Sequence, residues 1–232
     1  MPARVRVNGG RLQHHLDELA GIGALAGGGV CRLAFSAEDK RGRDYVEARM
    51  QSLGLAVRID RIGNILGVRR GEHGGPLVLA GSHVDTVGTA GRFDGSVGVM
   101  GALEVVETLN HANLTTGRPI GVMAFANEEG ARFTPDMMGS LVFRGGLQVD
   151  DARSRIDRNG VSVGEATDRA GYAGTDDFAD VDVRAYLELH IEQGPILETA
   201  NATSSSAIPE RCSSTRTRAS AAALSAATRP KS

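Results

Sequence analysis

The sequence predicts an α/β fold, a central mixed sheet flanked by helices, and three observations carry that expectation. Continuous apolar runs of strand length occur at 76–80 and 120–126, as expected of strands buried on both faces. A stretch with helical spacing, 97–109, lies between them. Polar residues gather just past the ends of the apolar runs, where open α/β sheets place their ligands.

The elements follow in chain order. Leu12, Leu16, Leu19 and Ile22 recur at steps of four, three and three, the spacing of an amphipathic helix. Ser36, with Asp39 three residues on, has the form of an N-cap and its box. It opens a helix through Tyr45, Val46, Met50 and Leu53, which Gly54 closes. Residues 55–60 and 64–69 read as two strands around a turn at Ile62-Gly63. The run 76–80 is a central strand, followed by a loop with His83 and Asp85 and then the helix 97–109. The run 120–126 is a second buried strand and ends in Asn127-Glu128-Glu129. Residues 140–180 are polar, a mixture of helix and loop, and 185–191 form a third strand. Gly21-Ile22-Gly23-Ala24 mimics a dinucleotide fingerprint, but it continues a helix instead of following a strand. It reads as a flexible helix end.

Composition narrows the function classes. The formal net charge of the 232 residues is -2 and no basic stripe is visible, which argues against a nucleic-acid partner. No apolar run approaches the roughly 18–20 residues of a membrane span. The first residues carry charge but no apolar stretch of the secretory kind. Cys31 and Cys212 make neither a disulfide framework nor a CxxC pattern, so a reducing, cytoplasmic setting is expected. All 31 glycines fall within 1–198. In 199–232, by contrast, 22 of 34 residues are Ala, Ser or Thr. The sequence therefore divides into 1–198 and an atypical segment 199–232, which has too few large apolar side chains to fold by itself.

Three segments concentrate chemistry. The first runs from Gly81 through His83 and Asp85 to Asp94-Gly95. In extended chain His83 and Asp85 point the same way, and a carboxylate so placed holds an imidazole in a metal-binding tautomer. The plain alternative is that Asp94 merely caps the next helix. In the second segment, Glu128 and Glu129 follow a buried strand. One acid can ligate a cation while its neighbour takes a proton from water; a solvated acidic loop is the alternative. In the third, Glu188, His190 and Glu192 alternate with apolar residues, which places His190 on one polar face of a strand. Two histidines with several carboxylates suit Zn²⁺ or Mn²⁺.

The motifs NEEGARF at 127–133 and LELHIEQGPILE at 187–198 closely resemble the carbamoylase and allantoate-amidohydrolase branch of the M20 dinuclear-metal hydrolases. The resemblance runs through about 8–198, with His190 as the branch marker. It implies an aminopeptidase-like catalytic domain holding two divalent metal ions. His83 and His190 would bind one ion, Asp94 would bridge both, and Glu129 would bind the second. Glu128 would be the general base, Asp85 would orient His83, and Gln193 would contact the substrate. The implied reaction is hydrolysis of a small N-carbamoyl or ureido compound with release of ammonia and carbon dioxide.

The family pattern also includes a lid and dimerisation domain, a substrate-clamping Arg, an oxyanion-stabilising His and a final His for the second ion. None of these has a counterpart after His190. The expectation is thus 1–198 as the N-terminal part of the catalytic domain, with the second ion left to Asp94 and Glu129, poor metal binding, and slow turnover or none. The family's homodimer interface would be absent. The segment 199–232 is expected to be disordered, the product of a shifted reading frame or else a natural tail. The competing readings are an M20 peptidase or aminoacylase, disfavoured by His190, and a non-catalytic binding module.

Overall fold

The computed structural model describes residues 5–201 and 223–225. Helix α1 (Gly9–Gly21) starts at Asn8, whose side chain accepts from the Arg11 N–H, and it buries Leu16 and Leu19. Its end is a tight turn, not a flexible one. Gly23 has φ +77°, and a Cβ there would lie 2.4 Å from the Cys31 carbonyl oxygen. Helix α2 (Ala37–Ser52) is capped by Ser36 as the sequence suggests. The return half of the expected box is shifted by one residue: Asp39 accepts from Phe35 N–H at 2.7 Å.

Strands β1 (Ala56–Ile59) and β2 (Ile65–Arg69) pair antiparallel around Asp60. The Asp60 carboxylate makes this turn. Its Oδ1 accepts from Ile62 and Asn64 N–H, and its Oδ2 accepts from the Asn64 amide. There follow β3 (Leu77–His83), α3 (Ser96–His111) and β4 (Ile120–Phe125). The ambiguous 140–180 region resolves into α4 (Met138–Phe143), α5 (Val149–Arg153) and α6 (Val163–Ala170). The last of these carries a complete capping box between Ser162 and Glu165. Strand β5 (Val183–His190) and the short helix α7 (Ile196–Ala200) complete 5–201.

The sheet order is β1-β2-β4-β3-β5-β6, where β6 is Ala223–Ser225. Strands β1, β2 and β4 pair antiparallel in succession, while β4, β3, β5 and β6 are mutually parallel. This is the predicted mixed α/β sheet, and the two apolar runs are its adjacent central strands. One core cluster joins Leu19, Val46, Met50, Val99 and Leu103 to Ile65 and Val122. A second joins Leu66, Leu79, Met123 and Phe125 to Phe178. Of the segment expected to be disordered, 202–222 and 226–232 lie outside the described residues; 223–225 run beside β5. No helix among the described residues is long and apolar enough to cross a membrane.

Candidate metal centre

Parallel pairing of β4, β3 and β5 brings their carboxyl ends to one edge of the sheet, the edge where open α/β sheets bind ligands. His83 is the last residue of β3 and His190 the last of β5, while Glu128 and Glu129 lie just past β4. Asp94 arrives on the loop before α3. The helix is not capped by Asp94: the cap position is Gly95, at φ +61° with no side-chain cap. Glycine is required there, because a Cβ would lie 2.5 Å from the His83 ring.

Ligand atoms of His83, Asp94 and His190 lie within 4.8 Å of one another. Each histidine turns Nδ1 to a main-chain carbonyl, His83 to Asp85 at 2.9 Å and His190 to Ile191 at 2.7 Å. A carbonyl only accepts, so Nδ1 carries hydrogen in both rings and Nε2 is the nitrogen left to face a cation. His190 Nε2 stands 3.2 Å from Asp94 Oδ1. That contact pushes the His190 pKa up to about 9, against the effect of burial. A cation bound here would take the place of the proton.

The carboxylates fit a cation. Glu129 Oε1 is buried without a hydrogen-bond partner, and Asp94 Oδ1 is buried facing only His190 Nε2, the signature of a site that positive charge would complete. Burial pushes the Glu129 carboxyl above its usual range, and nearby Asp94 and Asp85 add to the effect. Glu128 is pushed up to about 7, chiefly by burial. Its two oxygens accept from Ser140, one from the N–H at 2.7 Å and one from the hydroxyl at 2.9 Å. Ser140 had no signal in the sequence, since it lies across a loop from the acid it holds.

Three predicted residues sit differently from the simplest picture. The Asp85 carboxylate is 3.9 Å from His83 Nδ1, and the residue meets the imidazole through its main-chain carbonyl instead. Gln193, at φ +58°, donates to Asp94 Oδ2 at 2.5 Å. Glu192 does not continue the polar face of β5: the strand ends at His190, and Glu192 turns back to accept from Ile196 and Leu197 N–H at the start of α7. Sequence reasoning also missed Arg32, which is fully buried. It donates to Val84, Leu19 and Ile22 carbonyls and to Ser96, tying the exit of β3 to α1 and α3. His14, His15 and His111 lie apart from the cluster: the first two flank Glu18 on α1, and His111 meets Arg11.

The mixed sheet and the histidines and carboxylates at its carboxyl edge define an aminopeptidase-like catalytic-domain fold with a candidate cation site. The chain belongs to peptidase family M20/M25/M40, whose sequence model matches residues 79–227. That match extends past the composition change at 199. Over 206 residues the chain is 42% identical to an N-carbamoyl-L-amino acid amidohydrolase of Geobacillus stearothermophilus, covering 84% of this chain and 48% of that protein. It is 41% identical over 197 residues to the enzyme of the same name from Rhizobium meliloti, covering 84% and 47%. The crystal structure of a hydantoinase/carbamoylase family amidase from Burkholderia vietnamiensis superposes with a TM-score of 0.84 at 42% identity, covering 87% of this chain and 49% of that one. The chain spans about half the length of the curated relatives it matches.

Proposed function

We propose that residues 1–198 form the cation-binding, N-terminal part of a catalytic domain that hydrolyses linear carbon–nitrogen bonds of small N-carbamoyl-L-amino acids or of allantoate. The observation that carries this reading is the His83, Asp94 and His190 cluster, with the buried Glu129 Oε1 lacking a hydrogen-bond partner. His83 and His190 would hold one divalent ion, Zn²⁺ or Mn²⁺; Asp94 would face both ions and Glu129 the second. When bound, such ions polarise the ureido carbonyl and make water nucleophilic near neutral pH.

The protein's own groups have separable tasks. Glu128, with a pKa near 7, is suited to accept a proton from the attacking water and return it to the leaving nitrogen. Ser140 holds that carboxylate in place. Gln193 donates to Asp94 and would meet the substrate's polar end. One water and one N-carbamoyl amino acid yield the free amino acid, ammonia and carbon dioxide.

The test has two arms. Titration with Zn²⁺ and Mn²⁺ is expected to show binding at the cluster that H190A and D94A abolish. In the presence of the ion, ammonia release from N-carbamoyl-L-amino acids or allantoate is expected to exceed cleavage of peptides and N-acetyl amino acids. Binding unaffected by both variants, or faster peptide cleavage, overturns the reading.

A further inference from the structure

The backbone ladder between β3 and β5 stops at Ala80↔Leu187, three residues short of each metal-site histidine. Past that point β3 stays paired only on its β4 side, through His83↔Phe125. Side chains of β5, not main-chain bonds, cross the gap. Glu188 Oε1 accepts from the Ser82 hydroxyl at 2.5 Å, and Oε2 accepts from the Tyr186 hydroxyl at 2.9 Å. The same Tyr186 hydroxyl lies 3.2 Å from the Gly81 carbonyl oxygen. Ser82 immediately precedes His83, and the period of two puts Tyr186, Glu188 and His190 on one face of β5. On its other side the junction is closed by α3, where a Cβ on Gly98 would lie 2.7 Å from Ser82 Cβ and 2.8 Å from the Leu189 carbonyl oxygen.

We propose that Glu188 is a positioning residue for the cation site: its carboxylate, bridging Ser82 on β3 and Tyr186 on β5, sets the separation of His83 and His190. Main-chain pairing would fix the two strands at the ordinary sheet spacing of about 4.7–4.9 Å. A free gap would let β5 drift. A carboxylate with a hydroxyl donor on each oxygen holds the ends apart at one distance, here with ring centroids 6.1 Å apart. The residue touches neither ion nor substrate and acts through the two histidines. Groups of this kind alter metal affinity by about 10–100-fold.

The inference rests on the metal reading above, and the experiment separates the two. Zn²⁺ affinity of the full 232-residue chain is measured by competition with a chromophoric chelator, for the unaltered protein, E188A, E188Q and S82A. Thermal unfolding of each metal-free protein is followed in parallel. The expected result is a 10–100-fold loss of affinity in E188A and a several-fold loss in S82A, which removes one hydroxyl and keeps the fold. E188Q, which still accepts from Ser82, is expected to recover part of the E188A loss. Should E188A fail to fold, S82A and E188Q decide the matter. Unaltered affinity in S82A and E188Q, or losses that only track the fall in melting temperature, overturns the proposal and leaves the metal reading standing. Failure of the unaltered protein to bind Zn²⁺ overturns both.

Discussion

The Asp85 carboxylate accepts the backbone N–H of Glu128, with the neighbouring Glu129 N–H on its other oxygen, each at 3.2 Å. The turn that leaves β3 is thereby fastened to the turn that leaves β4. The acidic pair owes its position to this clamp, since Asn127 ahead of it has φ +52° and does not continue a regular strand.

Replacing Asp85 by Ala leaves two N–H groups without an acceptor at a site that is 1% exposed. A loss of roughly 1–3 kcal/mol per unsatisfied buried group is expected. Urea unfolding of D85A against the unaltered protein measures it, and a difference under about 0.5 kcal/mol would show that water satisfies the amides instead.

Gly95→Ala puts a methyl 2.5 Å from the His83 ring on a backbone with φ +61°. His83 must move, so cation affinity is expected to fall at least tenfold, with a stability loss of about 1 kcal/mol from backbone strain. Calorimetric titration with Zn²⁺ reads the first effect and thermal unfolding the second. Affinity equal to the unaltered protein would mean that the ring has room to yield.

Asp60 sets a pH dependence away from the metal centre. Burial pushes its pKa up to about 6, and three hydrogen bonds only partly offset this. The unfolded chain ionises it near 3.9, so between about pH 4 and 6 the folded state binds more protons. Its contribution is therefore most favourable below pH 4 and is lost as pH rises through 6. In D60N that slope should vanish. Stability measured at pH 4, 5, 6 and 7 should show the difference between the two proteins changing by roughly 2–3 kcal/mol across the window. A constant difference would refute the assignment.

Arg11 docks α1 onto α3 through two bonds to Glu104, Nε to Oε2 and a terminal guanidinium nitrogen to Oε1, both at 2.8 Å. Burial works against the Glu104 charge, but the Arg11, Asn8 and Thr108 hydrogen bonds outweigh it and hold the carboxyl below its usual range. Removing the cation leaves a nearly buried carboxylate short of donors. R11A is expected to cost roughly 2 kcal/mol at pH 7 and less as Glu104 becomes protonated in acid. Chemical unfolding at pH 7 and pH 4 tests both statements.

The residues explain which parts of the fold were legible in sequence. Leu12, Leu16 and Leu19, the Ser36 cap and the apolar runs at 76–80 and 120–126 report on their own neighbours along the chain, so periodicity and capping chemistry were enough to place those elements. Helix α4 was not legible, because its start depends on the contact of Ser140 with Glu128, whereas α6 carried a local signal in Ser162 and Glu165 that sequence reasoning missed. At the site, the residue types His83, Asp94, Glu128, Glu129 and His190 were visible as unusual residues past strand ends. The orientation of Asp85, the turn of Glu192 out of the strand and the hold of Gln193 on Asp94 were not.

What the sequence by itself determined is local: the helices and strands, the family motifs and the inventory of possible ligands. Those features follow from spacing of 3.6 and 2 residues, and from side chains that bond to their own backbone. Only the tertiary structure decided that β3 and β5 lie side by side with their ladder ending early. It also decided that Glu188 crosses the opening and that two imidazoles face Asp94 across it. Residues more than a hundred positions apart meet there through the order of strands in the sheet, and neither periodicity nor propensity carries that order.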